Sequence, residues 1–179
     1  VLAVRRAEPG AARVEAFWAA TDRLRDLLKF EFYFKDRAEF RRRVGVEMDL
    51  GEHDWRVQIA APDVDVEGVL RGRTPLTATF ALRPFLESYE IVADVLAHHT
   101  ESGAIDRAAV KKEAIALGDQ FLAQQRISSA EPVSALLFET ALQLADNQGV
   151  LADRPDRPER AAVFRTELQE ILGALDVVQ

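Results

Sequence analysis

The side chains able to do chemistry here are few. The sequence holds three histidines, His53, His98 and His99, and no cysteine. Without cysteine there are no disulfides, thiolate zinc sites, iron–sulfur clusters or cysteine nucleophiles. His53-Asp54 has the residue types of a general base and its orienting carboxylate. Neighbours in extended chain point to opposite faces, however, so the pair is expected to be an exposed loop rather than a catalytic couple. His98-His99 closes an apolar helical pattern, where imidazole interacts favourably with the C-terminal dipole. No His-x-x-x-His or His-x-x-Glu-His spacing gathers metal ligands, and neither a metal nor a cofactor is expected. Glu131 and Ser134, assigned to the first turn of a helix, are accounted for by dipole and capping effects. No phosphate loop, nucleophile elbow or dinucleotide fingerprint occurs.

Two groups could make contacts rather than catalyse. Arg41, Arg42 and Arg43, with Lys35 and Arg37 nearby, form the one basic cluster. It could meet anionic lipid headgroups or a substrate's phosphates. The competing reading is a solvated helix face laced by i,i+4 pairs such as Glu39–Arg43. Phe30, Phe32 and Phe34 read as core or as an interface between domains. The chain as a whole carries 23 basic and 30 acidic side chains, a formal charge of -7, which argues against nucleic acid as a partner.

These residues must be positioned by helices. Hydrophobic residues make up 48% and charged residues 30% of the 179, a globular composition large enough for a real core. From Ala11 to Leu28 the residues Val14, Phe17, Trp18, Leu24, Leu27 and Leu28 recur at helical spacing. Between Lys29 and Lys35, Phe30, Phe32 and Phe34 alternate like a strand. An isolated strand would have nothing to pair with, so the helix is expected to continue. Asp36-Arg37-Ala38-Glu39 signals a new helix through a capping box. The stretch from Gly45 to Arg73 holds Gly51, Pro62, Gly68 and Gly72 and reads as an inserted loop or short hairpin. Thr74-Pro75 starts a helix towards His98, with a kink or break expected before Phe85 because of Pro84.

Asp106 caps the next helix, to about Gln125, and Ser128 or Ser129 caps another, with Pro132 in its first turn. That helix carries Val133, Leu136, Leu137, Ala141 and Leu144 as its stripe and stops at Asn147-Gln148-Gly149. A polar linker at 153–158 leads to a last helix, from Pro158 to about Leu175. There is no internal repeat and no apolar run of the ~18 residues that would span a membrane. The fold expected is all-α, a single bundle-like helical domain over residues 1–179 with an irregular insertion at about 45–73.

Three segments carry a family resemblance. Residues 82–92, Leu-Arg-Pro-Phe-Leu-Glu-Ser-Tyr-Glu-Ile-Val, resemble the "L-x-P-F-L-E-S-Y" segment downstream of the catalytic core in glycerol-3-phosphate acyltransferases of the PlsB type. Ser128 to Ser134, the helix after it and Asn147 to Leu151 are similar to that family's late "E-S-x-S…N-A…G-x-L" helix, and Leu27 to Phe34 resembles a segment that precedes both. The family's His-x-x-x-x-Asp motif, whose histidine serves as general base, is absent. The residues five after His53, His98 and His99 are Gln58, Gly103 and Ala104. The phosphate-binding Glu-Gly-x-Arg-Ser-Arg block is missing as well, so no catalytic residue carries over.

The resemblance implies the C-terminal helical region of a longer enzyme, an expectation that fits a chain beginning at Val1 with Met48 as its only methionine. The parent would use acyl-CoA or acyl carrier protein to acylate the sn-1 hydroxyl, or act on dihydroxyacetone phosphate. The fragment alone would be inactive. It would pack on the upstream catalytic domain or help seat it, peripherally, on the cytoplasmic face of the membrane, with Phe30, Phe32, Phe34, Arg41, Arg42 and Arg43 as contact residues. The alternative is a stand-alone helical ligand-binding or regulatory module.

Overall fold

Three aspartates start helices, Asp36 and Asp106 as the sequence leads one to expect and Asp54 within a stretch expected to be a loop or hairpin. In the computed structural model, which describes residues 2–50, 54–72, 76–99 and 103–176, Asp36 Oδ1 accepts the Glu39 N–H at 2.9 Å. Asp54 Oδ1 accepts from Arg56 N–H at 2.9 Å and Asp106 Oδ1 from Ala108 N–H at 2.8 Å. Each satisfies a donor that the first turn leaves without an intrahelical partner. The elements are α1 (Leu2–Arg6), α2 (Ala11–Leu27), α3 (Arg37–Met48), α4 (Trp55–Ala60), α5 (Val66–Arg71), α6 (Leu76–His98), α7 (Arg107–Ala123), α8 (Ala135–Asn147) and α9 (Arg157–Asp176). The fold is all-α, with no strand among the described residues. His53 and the Thr74-Pro75 start signal lie outside them.

The chain divides into two compact units, Val1–Thr79 and Phe80–Val177. In the first, Val4, Met48, Trp55, Ile59, Val66 and Leu70 form the buried core, with Phe17 and Trp18 packed against it. Trp55 is fully buried, with the Phe17 ring 4.4 Å and the Trp18 ring 5.8 Å from its own. Arg13, buried in α2, donates to the Ile59 carbonyl at 3.2 Å and the Ala61 carbonyl at 2.7 Å. It thereby caps the C-terminal end of α4, whose last carbonyls have no helical donor.

The stretch expected to be a loop or hairpin is therefore largely helical. α3 continues to Met48, and α4 and α5 follow, with Asp54, Pro62 and Asp65 at their borders. Alternation at 54–59 was a misleading cue, because burial of Trp55 and Ile59 at i,i+4 gives a helix its inward face.

In the second unit α6 is the buried centre. Leu86 to Tyr89 and Ile91 to Leu96 are all buried, as in a helix that neighbours cover on every side. The other helices contribute Val110, Ala114 and Phe121 of α7, Phe138, Leu142 and Leu144 of α8, and Phe164 and Leu168 of α9. α6 runs through Pro84, so of the kink or break expected there the break does not occur. Proline costs a helix about 3 kcal/mol or more, and the burial of so many side chains just beyond it offsets that. Gly118 of α7 allows a close approach, since a Cβ there would lie 2.8 Å from Val133 Cγ2.

α8 starts at Ala135 with Ser134 as N-cap, not at Ser128 or Ser129, so Glu131 precedes the helix. Leu136, expected in its apolar stripe, is 75% exposed. The stop at Gly149 is as expected: φ is +74°, Gly149 N–H donates to the Asp146 carbonyl and Val150 N–H to the Ala145 carbonyl, both at 2.8 Å. The linker before α9 is tied down, with Asp153 accepting from Gly103 N–H at 3.0 Å and buried Arg157 donating to the Gly103 carbonyl at 2.5 Å.

Candidate functional site

The proposed contact residues fall between α2 and the middle of α3. Helix α2 ends at Leu27 and residues 28–36 form a turn and extended loop, which corrects the expectation of a continuous helix. Tertiary ties explain the difference. Arg25 donates to the Lys35 carbonyl at 2.8 Å, and its guanidinium lies 5.8 Å from both the Phe34 and the Phe40 ring centres. Phe34 packs edge-on against Phe40 at 5.4 Å. Asp36, as N-cap, must also stay out of helical conformation.

The three phenylalanines differ in exposure, although the Phe32 and Phe34 rings still meet at 6.3 Å. Phe34 turns towards Phe40, whereas Phe30 and Phe32 are each 38% exposed. Tyr33, which the sequence did not single out, is 92% exposed. Its only signal was its place at the apex of an alternating run.

The arginines divide likewise. Arg41 engages buried Asp22 through Nε at 3.1 Å and through Nη2, and stacks over Trp18 at 5.5 Å. Arg42 and Arg43 both clasp Glu39, at 2.7 and 2.9 Å. This is the i,i+3 and i,i+4 pairing of a solvated helix face. Hydrogen bonds from Arg42 and Arg43 pull the Glu39 carboxyl from 4.5 down to about 2. The hydrogen bond from Arg41 lowers Asp22 from its usual range, against the upward push of burial. Arg37 adds a bridge to Asp26 at 2.7 Å. The counter-ions Asp22 and Asp26, one helical turn apart on α2, were legible only as polar positions.

In the second unit residues 86–89, 91 and 92 of the segment 82–92 are buried, while Leu82 to Phe85 and Glu90 are half-buried. Arg83 and Glu87 pair at 3.1 Å with both side chains largely covered, and the fully buried Ser88 Oγ has no hydrogen-bond partner among the described residues. Buried Asp94 faces Arg165 of α9 through Oδ1 and Arg126 through Oδ2 at 3.8 Å. Arg126 also reaches Glu90 at 3.6 Å and covers the Phe121 ring at 3.5 Å. Burial raises the Glu90 pKa despite the opposing pull of Arg126. The sequence signalled this network only through Asp94, which interrupts the run from Ile91 to Ala97.

His98 Nδ1 meets the Asp94 carbonyl at 2.7 Å and His99 Nε2 meets Glu113 at 3.0 Å, so both decorate a helix end. Among the described residues no three His, Cys, Asp or Glu side chains gather as metal ligands. Among the described residues neither arrangement sets a base over a nucleophile.

Residues 2–154 match the family described as the glycerol-3-phosphate acyltransferase C-terminal region. The chain belongs to this family. Relatives carrying the name acyltransferase plsB1, from Mycobacterium bovis and Mycobacterium tuberculosis, are 40% identical over 147 residues. That stretch is 81% of this chain and 24% of each relative, so the chain spans about a quarter of their length. No solved structure matches it. The family's match covers the segment at 82–92 and α8, and the His-x-x-x-x-Asp motif does not occur in the chain. Among the described residues no helix is long and apolar enough to cross a membrane.

Proposed function

We propose that this chain is the C-terminal helical region of a glycerol-3-phosphate 1-O-acyltransferase acting peripherally at the cytoplasmic face of the membrane. In that reaction the thioester of acyl-CoA or acyl carrier protein breaks, an ester forms at the sn-1 hydroxyl, and the thiol leaves with the alcohol's proton. The general base would come from an upstream region. The family match over residues 2–154 carries this reading, and the burial of Leu86 to Tyr89, Ile91 and Val92 supports a packing rather than catalytic part for that segment. Peripheral attachment accords with the absence of a spanning helix among the described residues.

The test is transfer of labelled acyl groups from acyl-CoA and from acyl carrier protein to glycerol 3-phosphate. The 179 residues alone should show none. The longer protein should be active, and should lose activity when this region is deleted. Transfer by the isolated chain, or a longer protein indifferent to the deletion, would overturn the proposal.

A further inference from the structure

We infer that the loop at residues 28–36 enters an anionic lipid surface, with Phe30, Phe32 and Tyr33 as the inserting side chains. The inference rests on the membrane part of the reading above and gives it residues. Folding removes large apolar side chains from water where it can, yet three aromatic side chains within four residues of one short connection are exposed: 38% for Phe30, 38% for Phe32 and 92% for Tyr33. Tyrosine and phenylalanine suit the boundary between headgroups and acyl chains, and tyrosine keeps its hydroxyl on the wet side.

Charge names the occupant. Residues 22–43 hold eight basic side chains against five acidic ones, in a chain whose formal charge is -7. This is a locally positive field on an acidic molecule, the sign that anionic headgroups attract. Lys29 and Lys35, both exposed, flank the aromatic tip, and the Lys29 ammonium lies 5.2 Å from the Phe30 ring centre. Lysine is depleted from protein–protein interfaces, whereas basic residues beside aromatic ones are what a lipid interface holds.

The base of the loop is already fixed. Leu27 and Leu28 are buried, Arg25 holds the Lys35 carbonyl, and Phe34 packs on Phe40. The tip can therefore enter a bilayer at small ordering cost. Arg42 and Arg43, paired with Glu39, contribute to the field rather than to insertion.

The lack of cysteine makes the test direct. Tyr33→Cys introduces a single thiol for an environment-sensitive dye, and Leu136→Cys, at an exposed residue of the other unit, serves as control. With phosphatidylglycerol-containing vesicles the dye at 33 should shift to the blue and the dye at 136 should not. Pure phosphatidylcholine vesicles should have a much weaker effect.

Combined Phe30→Ser, Phe32→Ser and Tyr33→Ser changes should weaken vesicle binding about tenfold or more, since even partial burial of such rings is worth over one factor of ten. Circular dichroism checks that these surface variants keep their helices. Absence of vesicle binding, binding unaffected by the triple change, equal binding to neutral vesicles, or a shift at 33 produced by the upstream protein region instead of lipid would each overturn the inference. None of these readouts uses acyl transfer, so the loop can fail while the acyltransferase reading stands, and the reverse.

Discussion

Glu90 and Asp94 are one turn apart on α6 and are held in different ways. Asp94 has both oxygens facing arginines, Arg165 and Arg126, whereas Glu90 shares Arg126 and is dominated by burial, which raises its pKa. A carboxyl whose folded-state pKa lies above its unfolded value favours folding most when protonated. That contribution is full below the unfolded pKa and is lost as pH rises through the folded one. Glu90→Gln, which fixes the neutral form, should change stability at pH 7 by less than about 1 kcal/mol and flatten its dependence on pH. Asp94→Asn should cost about 2 kcal/mol, because two arginines lose their anion while their outer ends still reach solvent. Urea denaturation of both variants across neutral and mildly acidic pH checks this. Equal losses for the two would mean that Glu90 is held as a charge like its neighbour.

At the scale of elements, the ends of α7 and α8 are built alike from different residues. At the end of α8, Gly149 takes the left-handed conformation. At the end of α7 the same position is Gln125, at φ 58°, with its N–H donating to the Leu122 carbonyl and that of Arg126 to the Phe121 carbonyl. A side chain in this conformation costs roughly 1–2 kcal/mol, against a smaller loss of backbone freedom for glycine. Gln125→Gly should therefore raise stability by about 0.5–1 kcal/mol, and Gly149→Ala should lower it by about 1 kcal/mol. Thermal melts of the two variants should move in opposite directions. The turn at Gln125 also aims Arg126 back over Phe121 and towards Glu90, linking a helix stop to the polar network.

The same elements show what sequence could and could not tell. Asp36, Asp106 and Gly149 act through their immediate neighbours, so residue type and position were enough to read them. The end of α2 was not legible, since it depends on Arg25 reaching Lys35 and on Phe34 finding Phe40, contacts set by the folded chain. The continuity of α6 through Pro84 and the inward faces of α4 likewise follow from burial that no short window displays. For the candidate site, residue types were legible and their exposure was not. Phe30, Phe32 and Phe34 look equivalent in the sequence, and the arginine row shows its neutralising partner Glu39 but not Asp22 across the helix pair.

On the scale of the whole molecule the distribution of ion pairs fixes how it responds to acid. Asp22, Glu39, Glu139 and Asp156 lie below the usual carboxylate range, each chiefly through a hydrogen bond from a cation: Arg41, Arg42, Lys111 and Arg160 respectively. A folded-state pKa below the unfolded one stabilises above the unfolded value, and the contribution disappears as pH falls through the folded one. Glu90 acts in the opposite sense. Net stability should thus hold from pH 7 to about 5 and fall from there towards pH 2, where Glu39 takes up its proton. Protonation of the carboxyls also converts a chain at -7 into one with strong positive charge, adding self-repulsion. Asp22→Asn should bring part of the loss forward to pH 7, about 1 kcal/mol, by freeing Arg41 and Arg37 from their shared anion. Its stability should then fall less on acidification than that of the unaltered chain. Urea midpoints at pH 7, 5 and 3 for both proteins decide the matter, and parallel curves would show that the Asp22 pair contributes nothing to acid sensitivity.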